Sequence, residues 1–172
     1  MFSVLSFANV VLAVAAIAWA VVRQFMTAPV GAFRLRVFVV LGAVGLWQVA
    51  RLVDAGGLSA ADGVALVVSL ASAAGFGWLR GRSARVWAHD GVVYRRGGWP
   101  VVALWAAGLA VHVGIDVAAT VADGAHGLGQ MGAASIMLYL AVTLGAQALV
   151  VSQRAQHARG TEASPYEKAL LH

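Results

Sequence analysis

The chain has 172 residues, 61% of them hydrophobic and 11% charged, with a mean hydropathy of +0.83. Ordinary globular domains are about 45–50% apolar and about 25% charged, so a soluble core is excluded and one membrane domain is expected. Twelve Lys and Arg against seven Asp and Glu give a formal charge of +5, but the cations sit in two loops and the tail, which is a signature of membrane orientation and not of a nucleic-acid partner.

The first apolar run covers residues 2–22. No positive charge precedes it, as one would in a secretory signal, and it reads as a retained span. Arg23 to Arg36, with Pro29 and Gly31, reads as a short basic loop. Val37 to Val53 is the second span, with Gln48 and Arg51 near its far end. In the acidic turn that follows, Ser59 and Asp62 have the spacing of a helix N-cap and a first-turn acid. The third span covers 60–79.

Arg80 to Gly98 is the longest polar run before the tail. Asp90-Gly91 is a strong two-residue hairpin signal. Centred there, Trp87 faces Tyr94, Val86 faces Arg95 and Ala88 faces Val93. A two-stranded hairpin alone is marginal in water, so this one is expected against the membrane surface or a partner, the alternative being a solvated basic loop. Arg80, Arg82, Arg85, Trp87, Tyr94, Arg95 and Arg96 form the candidate surface for lipid headgroups or a partner protein.

The fourth span, 99–121, is entered through Trp99-Pro100, and Pro suits a first helical turn. A short polar turn, 122–127, leads to the fifth span, 128–151. Residues 152–172, with Gly160 and Pro165, read as a polar, largely disordered tail. The expected fold is an all-α integral membrane protein of five transmembrane helices over 1–151, with a short β-hairpin between the third and fourth. Arginines fill alternate loops: Arg23, Arg34 and Arg36, then the interlude, then Arg154, Arg159 and Lys168 of the tail. The positive-inside rule then puts the N-terminus outside and the tail and hairpin in the cytoplasm.

Small residues four apart let membrane helices approach closely. Such ladders are Ser69-Ala73-Gly77 in the third span, Ala106-Ala110-Gly114-Ala118 in the fourth and Ala141-Gly145 in the fifth. His112 and Asp116 share the face of the fourth span opposite its ladder. Ser135, Tyr139, Thr143 and Gln147 form a polar stripe on the fifth, opposite Ala141 and Gly145.

An ionised side chain at the bilayer centre costs about 2.5–3.5 kcal/mol on insertion scales, so such groups face inward and pair. The candidate ligand-binding set at one depth is His112, Asp116, Arg51, Gln48, Tyr139, Asn9 and Ser135, with Ser69 and Ser72 nearby. The pairing expected is Arg51 with Asp116, and Gln48 or Tyr139 with His112. These groups either satisfy one another and fix the helix register, or line a polar cavity for a small ligand or proton. A haem role for His112 would need a second axial ligand, from His126 or a dimer mate. The cofactor stays unknown, and no metal site is expected. The chain has no Cys, which excludes disulfides, thiol relays and Fe–S ligation. No hydrolase, zinc-protease or phosphate-loop motif occurs.

The run Arg80-Gly-Arg-Ser-Ala-Arg-Val-Trp, then Gly91-Val-Val-Tyr-Arg-Arg-Gly-Gly, Leu104-Trp105 and Gly114-Ile-Asp116, with Val21-Val-Arg-Gln-Phe25 earlier, resembles the small CcdC-like membrane proteins of bacteria. The resemblance implies this topology and a bacterial inner membrane, and supplies no mechanism. The family name points to cytochrome c maturation, but a chain without Cys has no thiol to transfer. His112 stands where a basic residue was expected. The function expected is an accessory, scaffold or small-ligand-binding membrane protein, not an enzyme, with a homodimer or a membrane protein as partner. The alternative is a membrane redox (haem- or quinone-linked) or transport protein using His112, Asp116 and Arg51.

Overall fold

The computed structural model describes residues 22, 25–30, 35–56, 59–124 and 130–169. The elements in order are β1 (Ala28–Pro29), α1 (Leu35–Asp54), α2 (Ala60–Ser83), β2 (Arg85–His89), β3 (Val92–Arg96), α3 (Trp99–Ala122) and α4 (Gln130–Ala169). Among the described residues three stretches are long and apolar enough to cross a membrane: Ala60–Ser83, Trp99–Ala122 and Ser135–Arg159. The 20-residue α1 covers the sequence of the expected second span but is not one of these three, so five spans are not seen among the described residues. The expected first span, 2–22, lies almost wholly outside the described residues, as do Asn9 and His126.

Ser59 caps α2 as its spacing with Asp62 implies. Its hydroxyl accepts from the Asp62 amide at 3.0 Å, and the Asp62 carboxylate accepts from the Ser59 amide at 3.2 Å, satisfying two orphan donors at once. Pro100 occupies the first turn of α3. The hairpin has the expected register, Trp87 opposite Tyr94, Val86 opposite Arg95 and Ala88 opposite Val93. Asp90 and Gly91 both have positive φ, 51° and 73°, as a type I′ turn requires.

The sheet and the last helix both depart from the sequence reading. The hairpin is one side of a three-stranded sheet, because Ala28 and Pro29, read as loop, pair with Arg95 and Tyr94. Pro is tolerated there because β1 is an edge strand. The helix α4 runs past Val151 to Ala169 instead of giving way to a disordered tail. Its extension is anchored: Val151 packs with Ala84 and Val101, and Arg154 donates to the carbonyls of Gly81, Arg82 and Ala84 at 2.9, 2.9 and 2.6 Å.

The central helix is α4, flanked by α1 and α2, with α3 packed mainly on α2. Close approach depends on glycine. A Cβ on Gly77 would lie 2.8 Å from Ala146 Cβ and closer still to the Thr143 carbonyl oxygen, and one on Gly45 would lie 2.5 Å from the Leu138 amide. Ser69, Ala73 and Gly77 are buried, so the expected ridge of α2 is a true contact. The ladder on α3 is not. Ala106, Ala110, Gly114 and Ala118 are exposed, whereas Gly108, His112 and Asp116 are buried. The polar face of α3 has partners on α2 and α4, and that complementarity decides which face packs.

The two ends of the bundle differ. The arginine-bearing hairpin, strand β1 and the Arg154 anchor gather at the sheet end. At the other end the Ser59 hydroxyl donates to the Asp123 carboxylate at 2.7 Å, tying the start of α2 to the end of α3.

Candidate functional site

Three helices supply the polar interior. From α2 comes Ser69, whose Oγ lies 2.7 Å from Nδ1 of His112 on α3. From α4 comes Tyr139, whose ring lies against the His112 imidazole with centroids 4.6 Å apart and planes tilted by 35°. Gly108, one turn before His112, makes this possible: a Cβ there would sit 2.7 Å from the Tyr139 hydroxyl. Asp116 and Ser135 complete the group, and all five residues are buried. The stripe Ser135-Tyr139-Thr143-Gln147 therefore faces inward along its whole length, as its spacing indicates.

Between these residues lies a cavity of about 10 Å³, lined by Ala65, Leu66, Ser69, His112, Ile115, Asp116 and Ser135. That is room for about one water, whereas small-molecule pockets run to about 300–1,000 Å³. An imidazole and a carboxyl bordering a single water can hold or exchange a proton. Among the described residues, no three His, Asp or Glu side chains converge as a metal site would need.

Two members of the expected set are elsewhere. Arg51 is exposed, with its guanidinium 5.2 Å from the centroid of the Trp47 ring on its own helix, and it makes no ion pair with Asp116. The reason is connectivity: α1 packs on α4, not on α3, so one depth in the bilayer does not mean one place in the bundle. Gln48 does not bond His112 either. Its Oε1 is buried without a hydrogen-bond partner among the described residues, as is that of Gln147.

Arg80 is a second correction. The sequence assigns it to the headgroup surface, yet it is 1% exposed. Its guanidinium lies 4.0 Å from the centroid of the Trp105 ring on α3 and donates to the Thr143 hydroxyl of α4. The cause is that α2 does not stop at Leu79 but continues to Ser83, which carries Arg80 onto the ridge of Ser69, Ala73 and Gly77. A residue three beyond Gly77 on a helix falls on that face, and this was the available signal.

The rest of the basic surface lies outside. Arg82, Arg85 and Arg96 are exposed and Arg95 is half-buried. Arg82 lies 4.3 Å from the centroid of the Trp78 ring. Trp87 and Tyr94 stack with centroids 6.0 Å apart. No family model, curated protein or solved structure matches this chain.

Proposed function

We propose that the chain is a five-span membrane protein of the accessory or scaffold kind, set in a bacterial inner membrane with its N-terminus outside. Three long apolar helices are consistent with a membrane location. In this reading α1, at 20 residues, and the run 2–22 supply the other two spans, each near the roughly 20 residues a bilayer needs. The gathering of arginines at the sheet end supports a cytoplasmic sheet and tail. Kinship with CcdC-like proteins rests on the short motifs quoted above.

The observation that carries the scaffold reading is the pairing of interior polar groups across helices at two levels of the bundle. Ser69 meets His112, and Arg80 meets Thr143 and Trp105, each contact joining different helices. Groups paired in this way fix helix register. The exposed Ala106-Ala110-Gly114-Ala118 face is where a homodimer mate or a partner membrane protein would approach α3. The test is native mass spectrometry with an absorption spectrum, on protein purified in mild detergent. A protein mass without adduct is expected. A stoichiometric small molecule, or a haem band lost in His112→Ala, would overturn the reading.

One observation favours a second reading, redox or transport. His112 and Asp116 both border the water-sized cavity. Arg80 narrows that reading, because it stands between the cavity and the sheet end, where a fixed cation opposes passage of protons and other cations. Proton flux into proteoliposomes that collapses in Asp116→Asn would establish transport, and its absence would leave the scaffold.

A further inference from the structure

We propose that the outer face of the sheet binds the phosphate of an anionic phospholipid headgroup, held between Arg85 and Arg96 beside the Trp87–Tyr94 stack. The proposal rests on the membrane-spanning reading above.

Arg85 and Arg96 are direct partners across β2 and β3. Their side chains leave the same face with Cβ atoms about 5 Å apart, and like charges in that position destabilise a sheet. Among the described residues no carboxylate is paired across the strands on that face, where the other pairs are Trp87–Tyr94, Pro29–Tyr94 and His89–Val92. Asp90 lies at the turn, 3.4 Å from the His89 imidazole, at the far end of the strand. Arg85 is exposed and has no hydrogen-bond or ion-pair partner among the described residues. Arg96 uses Nε to donate to the Phe25 carbonyl at 3.0 Å, which fixes its stem. Its terminal nitrogens remain to complete a two-arginine fork, and guanidinium groups match phosphate oxygens in bidentate fashion. An anion placed there converts a repulsive pair into a clamp.

The level of the sheet identifies the source of the phosphate. Strand β2 starts just after α2 ends at Ser83, and β3 ends just before α3 begins at Trp99, so the sheet lies where two apolar helices leave the bilayer. Trp78, Trp87 and Trp99 are 44%, 37% and 74% exposed at this same end, and exposed Trp marks the membrane–water interface. The Arg85–Arg96 pair thus meets headgroup phosphates before it meets solutes.

The test uses the full chain in nanodiscs of phosphatidylcholine alone or mixed with phosphatidylglycerol, and in detergent for native mass spectrometry. The wild type is expected to retain phosphatidylglycerol over phosphatidylcholine. The pair Arg85→Gln/Arg96→Gln is expected to lose this retention by about 25-fold, taking about fivefold per basic residue at an anionic surface. In phosphatidylcholine the double variant should melt no lower than the wild type, because the repulsion is gone. In phosphatidylglycerol the wild type should gain more. Arg51→Gln, an exposed arginine at the other end of the bundle, should lower retention by no more than the general loss of about fivefold for one surface charge and leave the order of melting unchanged. Equal lipid retention by the double variant would overturn the site. So would orthophosphate stabilising the wild type as much as phosphatidylglycerol does, which would mark a site for soluble phosphate. Recovery of the chain from the soluble fraction without detergent would instead sink the membrane reading itself.

Discussion

The contact between α2 and α4 turns on one missing side chain. Replacing Gly77 with Ala puts a Cβ 2.8 Å from Ala146 Cβ and nearer still to the Thr143 carbonyl oxygen, where ordinary contacts lie at 3.4–4 Å. The obstruction includes backbone, so rotamer changes cannot relieve it and the helices must separate. Overpacking of this kind costs about 1–3 kcal/mol. The substitution also gains about 1 kcal/mol of intrinsic helix preference, which would mask part of the loss. Gly75 on the same helix removes that ambiguity, because a Cβ there meets nothing within 4 Å. Gly75→Ala should show the helix gain alone, so the difference between the two variants isolates the packing term at about 1–3 kcal/mol. Separation also draws Thr143 away from Arg80 and Tyr139 away from His112, so both polar contacts weaken together. Unfolding in mild detergent, followed by circular dichroism against added denaturing detergent, measures both variants. If Gly77→Ala and Gly75→Ala have the same stability, α2 and α4 do not meet at Gly77 and the helices pack in another way.

Three further outcomes are expected from the same unfolding assay. A double-mutant cycle of Ser69→Ala with His112→Phe should give a coupling of about 0.6 kcal/mol and at most about 1.7, the range for side-chain hydrogen bonds inside membranes; zero coupling would mean the two do not bond. Thr143→Val should destabilise by about 1–3 kcal/mol, because a buried guanidinium loses an acceptor, but should cost much less in an Arg80→Met background. Arg51→Gln should change stability by no more than about 0.5 kcal/mol, as for an exposed substitution, and its effect should add to that of Asp116→Asn; a coupling between them would restore the ion pair that the packing of α1 forbids.

What the sequence determined by itself is local. The N-cap at Ser59 needs only Asp62 three residues on, and the hairpin register needs only Asp90-Gly91, since a two-residue turn dictates every opposed pair from Arg85–Arg96 to His89–Val92. The inward stripe of Ser135, Tyr139, Thr143 and Gln147 was also legible, because buried polar groups in a membrane helix must face protein. The tertiary structure decided everything that required choosing among similar helix faces. Lipid is as apolar as a Leu side chain, so no hydrophobic force orients a membrane helix, and Ala and Gly are too common in this chain for a four-residue ladder to single out one face. The ladder on α3 faces outward because Ser69 and Tyr139 provide complements for His112 on the other side. Arg80 lies inside because α2 runs one turn longer than its apolar run. Arg51 stays outside because its helix packs against α4, a relation set by long-range packing and written in no short stretch of the chain.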